Sequence, residues 1–204
     1  MRILIACEYS GTVREAFAKK GHDAWSCDIL PTEIPGNHIQ GDVIELIDQQ
    51  LRHKDSIGTF RWDMMIAHPP CTYLCNSGVS WLHRTKGRWD EMIKGAKFFK
   101  RLLEAPIKKI VIENPVMHKY AKEIIGKKQD QTIQPWQYGE DASKRTCLWF
   151  KNVPNLKPTN IIIKDKYANQ TPSGRCNLPP SKDRGKIRSR TYVGIANAMA
   201  DQWG

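Results

Sequence analysis

Cys71 stands directly behind two prolines, at the exit of an apolar run from Trp62 to Ala67 that ends in His68-Pro69-Pro70. Proline fixes φ, so the thiol sits on a constrained turn at a strand end, the setting of a nucleophile. A thiolate attacks electrophilic carbon once nearby cations or helix termini lower its pKa, and His68 is a candidate source of that positive potential. The bland alternative is a small buried hydrophobe, the common fate of free cysteine. Cys75 follows four residues later, a spacing that raises a metal reading. No second Cys or His pair with ligand spacing accompanies it, so no metal is expected. Glu113 follows Ile110-Val111-Ile112 and precedes Asn114-Pro115. A carboxylate at the edge of such an apolar stretch is expected to have a raised pKa and to act as an acid; the plainer alternative is a capping or ion-paired Glu. Asp28 closes a second strand, where a dinucleotide-type fold places the acid that accepts ribose hydroxyls, or else simply forms a turn before Pro31.

These residues need elements that bring them together. Short apolar runs alternate with helix-like segments, the pattern of a parallel sheet with crossover helices. Strands are expected over 2–7, 23–27, 62–67 and 108–112, and helices over 12–20 (closed by Gly21), from 41–42 to about 52, over 88–104 and over 192–203. Two later strands, 132–138 and 146–150, read as a hairpin, and 151–190 as a Pro- and Lys-rich irregular stretch. In a doubly wound sheet, ligands bind outside the carboxyl ends of the strands. That rule gathers Glu8, Asp28, the 68–71 segment and Glu113 along one edge.

The chain of 204 residues, 40% hydrophobic and 26% charged, suits one domain. No apolar run approaches the roughly 18 to 20 residues of a spanning helix, and the first apolar segment stops at Glu8, too soon for a signal peptide. A soluble, cytoplasmic protein of a bacterial or virus-infected cell is therefore expected, with its six cysteines as free thiols. Thirty-two Lys plus Arg against 21 Asp plus Glu give a net charge of +11, which fits a phosphate backbone or another acidic surface. The surplus concentrates between Lys144 and Arg190, with 12 basic residues against Asp165 and Asp183.

Three islands in order along the chain, a strand ending in Pro-Pro-Cys71, a later strand ending in Glu113-Asn114-Pro115, and Val193-Gly194-Ile195-Ala196-Asn197-Ala198, resemble the DNA (cytosine-5)-methyltransferase family. The resemblance implies an α/β, Rossmann-like S-adenosylmethionine-dependent methyltransferase sheet with helices on both faces, over a single domain of residues 1–204. It implies S-adenosylmethionine as the cofactor and DNA as the partner, a duplex with a flipped cytosine. Cys71 would add to C6 of cytosine, Glu113 would protonate or hydrogen-bond N3, and C5 would take the methyl. Asn114 would hold the strand end or the exocyclic amine, and Arg145 resembles the family's later basic motif near the base.

For the cofactor, the resemblance points to the loop Glu8-Tyr9-Ser10-Gly11, to Asp28 and Ile29, to Asp42 and Val43, to Pro69 and to Asn197. Glu8 would meet the methionine ammonium and Asp42 the adenine amino group. The chain departs from the family in its first loop, which has one glycine where Phe-x-Gly-x-Gly is usual. It departs again in having only the basic stretch of about 151–190 in place of a target-recognition domain, which implies short sequence specificity. Two other readings stay open: a cytosine-modifying enzyme acting on free nucleotide or RNA, and a non-catalytic DNA-binding homologue.

Overall fold

The computed structural model describes residues 1–52 and 61–204. At its centre is a seven-stranded sheet built from β1 (Arg2–Ala6), β2 (Asp23–Asp28), β3 (His38–Gln40), β4 (Met64–Ala67), β5 (Lys109–Pro115), β6 (Gln131–Ile133) and β7 (Thr146–Lys151). The order across it is β3-β2-β1-β4-β5-β7-β6. β1 pairs in parallel with β2 (Ile3 opposite Ala24) and with β4 (Ile3 opposite Met64), and β4 pairs in parallel with β5. β7 alone runs against its neighbours, with Glu113 opposite Leu148. This is the α/β, Rossmann-like sheet with helices on both faces that was expected.

The central strands Ile3-Leu4-Ile5-Ala6 and Met64-Met65-Ile66-Ala67 are buried throughout. Such continuous apolar runs belong to a sheet covered on both faces. On one face α1 (Thr12–Ala18) packs against α6 (Val193–Trp203), around Phe17, Ile195, Met199 and Trp203. On the other lie α2 (Val43–Arg52), α3 (Arg88–Leu103) and α4 (Lys119–Ile125). α3 buries Met92, Ala96, Phe99 and Leu102 along one stripe, with Phe99 edge-on to Trp149 at 5.0 Å. Gly194 of the closing motif is required by space: a Cβ there would lie 2.0 Å from the Tyr138 carbonyl oxygen. Among the described residues no helix is long and apolar enough to cross a membrane.

Three expectations need correction. The strand expected over 132–138 stops at Ile133, because Pro135 has no N–H for the ladder and instead opens a 3-10 turn over Pro135–Gln137. The 151–190 stretch is not wholly irregular, since it contains α5 (Arg184–Ser189). Short elements without strong periodicity, namely β3, α4 and a 3-10 helix over Asn76–His83, were not expected.

Candidate active site

The sheet reverses direction of growth between β1 and β4, and the loops leaving their carboxyl ends frame a cavity of about 1170 Å³. Of the residues singled out in the sequence, Glu8, Tyr9, Ser10, Asp28, Ile29, Asp42, Val43, Cys71 and Arg145 line it. Gly11, Pro69, Glu113, Asn114 and Asn197 do not. Asn197 is exposed on α6, and its helix faces the core through other side chains.

At the β1 end, Cys7 adopts φ 57, a left-handed conformation that a side chain resists by about 1 kcal/mol. Gly11 (φ 72) starts α1, and a Cβ there would meet the Arg14 guanidinium at 2.8 Å. Glu8 is buried, and its carboxylate accepts from Val13 N at 2.7 Å, Arg14 N at 3.2 Å and the Ser10 hydroxyl at 3.2 Å. It therefore caps the orphan N–H groups of α1, which occupies much of the capacity expected for a ligand ammonium. Asp28 accepts from Leu30 N at 2.9 Å and Asp42 from Ile44 N at 2.7 Å, so each is held by one oxygen while its carboxylate lines the cavity. Burial, with the charges of Asp28 and Asp42, pushes the Cys7 thiol well up. That end of the cavity is electronegative.

The β4–β5 end carries the reactive groups. Asn114 is buried and donates through Nδ2 to the Pro69 carbonyl at 2.9 Å, so Pro69 and Asn114 brace the loop that presents Cys71. Cys71 closes a helical turn in which its carbonyl accepts from Leu74 N and Cys75 N, each at 3.0 Å. In that turn residues four apart share a face, and Cys75 Sγ lies 3.2 Å from the Ser77 hydroxyl. Cys75 is brought down to about 5 by the Cys71 thiol first, against burial, and by Ser77 and the Gly78 N–H; Cys71 is pushed up by its contact with Cys75, by burial and by the neighbouring charge. The two groups are thus pulled in opposite senses, Cys75 toward the thiolate and Cys71 toward the thiol. Among the described residues no group of three or more Cys, His, Asp or Glu is placed to hold a metal ion.

Glu113 departs from expectation. Burial does act to raise its carboxyl, but Lys144, His68 and Thr191 outweigh it and bring it down to about 2. Its Oε2 accepts from Thr191 Oγ1 at 3.1 Å and pairs with His68 Nδ1 at 3.0 Å, and Lys144 Nζ lies 3.8 Å from Oε1. These three partners favour the ionised form of the Glu113 carboxyl. His68 responds in the opposite sense: burial would lower it, yet the bond to Glu113 and the carboxylate's charge raise it above its usual range. His68 lines the cavity, and its Nε2 is buried without a hydrogen-bond partner among the described residues. Sequence reasoning credited His68 only with positive potential and passed over Lys144 and Thr191. Lys144 adjoins the flagged Arg145, whereas nothing in the sequence marks Thr191.

The basic stretch crosses over the cavity. Arg184, Ile187, Arg188 and Arg190 line it, and Glu33 fastens the crossing through Lys186 at 2.8 Å and Arg190 at 2.7 Å. Tyr9 lies beneath, its ring 5.4 Å from Lys186 Nζ and its hydroxyl 3.5 Å from Ser189 Oγ. On the other side Asn169 and Ser143 exchange two bonds of 2.9 Å, and Lys144 donates to the Arg190 carbonyl at 3.3 Å. Arg145 is exposed beside this closure.

No family model matches the chain, and no curated protein matches it. Among solved structures it is similar to one described as a candidate DNA modification methyltransferase encoded within a prophage of E. coli, with 14% identity and a TM-score of 0.50 over 78% of this chain. The chain spans about half of that structure's length, 51%. The likeness is one of fold.

Proposed function

We propose that this chain transfers a methyl group from S-adenosylmethionine to C5 of cytosine in DNA through a covalent adduct with Cys71. The observation that carries the reading is a braced Pro-Pro-Cys loop whose thiol shares one cavity with the carboxylates at the ends of β2 and β3. A cytosine ring is attacked at C6 by a thiolate and thereby gains electron density at C5. Lys144 is the cation that favours the charged form of Cys71 and would support that thiolate.

The electronegative end suits the cofactor, which carries a sulfonium and an ammonium and presents ribose hydroxyls and an adenine amine as donors. Asp28 and Asp42 would accept those donors, with Ile29 and Val43 against the flat ring, while Tyr9 and Ser10 wall the same end. Glu8 acts there through its charge while it caps α1. When bound, the cofactor supplies an electrophilic methyl group to C5. Asn114 keeps the Cys71 loop in place through Pro69. Arg145 and the basic strap of 151–190 would contact phosphates, in place of a target-recognition domain, and a duplex must release the cytosine from its stack for Cys71 to reach it. The description of the similar E. coli structure supports DNA as the substrate.

The test is incubation with S-adenosylmethionine and mixed-sequence duplex DNA, digestion to nucleosides and mass spectrometry. 5-Methylcytosine that disappears with Cys71→Ser is the expected result. Persistence of the product in that variant overturns the covalent mechanism. Absence of product from the native protein, with or without cofactor binding by calorimetry, overturns the reaction.

A further inference from the structure

We infer that His68 is the group that gives a proton to the ring nitrogen N3 of the bound pyrimidine, with Glu113 behind it as a positioning residue. This rests on the cytosine chemistry proposed above and changes which side chain performs its acid step.

Glu113 is placed poorly for that step. It does not line the cavity, and its carboxylate already receives Thr191, His68 and Lys144. A carboxylate held by two hydrogen-bond partners and a lysine charge is a better acceptor than donor. His68 stands one bond nearer the substrate. Its side chain is 12% exposed and lines the cavity, and its Nδ1 is committed to Glu113 at 3.0 Å. In the charged ring both nitrogens are donors, so the Nδ1–H bond to Glu113 leaves Nε2–H as a buried donor with no partner among the described residues. A buried donor left unsatisfied in a folded protein calls for an explanation, and a ring nitrogen of the substrate satisfies it. Two prolines separate His68 from Cys71, and Asn114 pins the first of them. Acid and nucleophile are therefore held on one stiff loop.

The step balances as follows. The Cys71 thiolate forms the S–C6 bond, the displaced ring electrons move to N3, and N3 takes the Nε2 proton. C5, now enamine-like, acquires its new substituent. Its original proton leaves to water, the S–C6 bond breaks, and the N3 proton returns to Nε2. Without a methyl donor, C5 instead takes a hydron from solvent, and reversal releases cytosine with H5 exchanged.

The groups that face His68 are Glu113 on β5, Glu8 after β1 and Lys144 before β7. Burial and Lys144 oppose its charged form and the two carboxylates outweigh them, so the reaction should weaken as pH rises.

The experiment follows H5-to-deuterium exchange in a mixed-sequence duplex in D2O, alongside methylation, across pH 5.5 to 9 (about the range in which an imidazole titrates). His68→Gln should slow both by about a hundredfold, the usual scale of an acid's contribution, and should abolish the alkaline decline. Glu113→Gln should move that decline to lower pH. The double variant His68→Gln/Glu113→Gln, which leaves no unpaired buried carboxylate, should fold and match His68→Gln. Native-like rates and profile in His68→Gln and in the double variant overturn the inference while leaving the cytosine reaction standing. If the native protein neither methylates nor exchanges H5, the reaction itself is wrong and the inference falls with it.

Discussion

Replacing Glu113 by Gln should remove one source of the protein's acid sensitivity. The carboxyl is 8% exposed and drops from its ordinary 4.5 to about 2 on folding. At about 1.4 kcal/mol per pKa unit this contributes roughly 3 kcal/mol at neutral pH. Because the folded value is the lower one, the contribution is complete above pH 4.5 and is lost as pH falls toward 2. About 2 kcal/mol of it should disappear between pH 7 and pH 3 by the same linkage. The raised His68 is the other side of one contact and is not added to it. Its sign is opposite: stability present below 6.5 is lost as pH climbs through the folded value. Urea unfolding of the native protein and of Glu113→Gln across pH 3 to 8 measures the difference directly, since the exposed carboxylates are common to both and cancel. The native protein should lead by about 3 kcal/mol at pH 6, and the gap should narrow on both sides. A gap that stays constant from pH 7 to pH 3 refutes the account of Glu113 as a buried anion.

Three further outcomes follow from other contacts. Arg14 is 1% exposed and donates to Ser26, Thr32 and the carbonyls of Ile34 and Pro35; Arg14→Met should cost about 3–5 kcal/mol by orphaning them and lower Tm by about 10 °C, and a shift within 2 °C or so would contradict this. The native protein should be alkylated rapidly by iodoacetamide at neutral pH on Cys75, and Cys75→Ser should remove that reaction because burial holds Cys71 up; slow labelling of native Cys75 by peptide mapping would contradict the lowered thiol. Glu33→Gln frees Lys186 and Arg190, so binding to duplex DNA should tighten and the salt dependence of log K should steepen by about 1–2, whereas an unchanged slope would place the strap away from phosphates.

The amino-acid sequence by itself determined the sheet and its order of reactive ends. Continuous apolar runs such as 3–6 and 64–67 admit only strands buried on both faces, and the residues that follow them are fixed by covalent succession. Cys71 and Asp28, which follow such runs, consequently stand at the cavity, whereas Asp42 follows the unexpected β3. Local chemistry likewise announced the closing helix, although the reason for Gly194 emerged only when Tyr138 was seen against it. Tertiary structure decided the rest, because charge state and exposure depend on partners remote in the chain. Desolvation of Glu113 was legible from its apolar neighbours. The reversal of its pKa was not, since His68 and Thr191 lie 45 and 78 residues away. The partners of Glu8 and Pro69 were hidden in the same way, since only three-dimensional packing supplied Val13 N, Arg14 N and Asn114. Composition showed that the 151–190 stretch is basic, but only folding, through Glu33, carried it across the cavity.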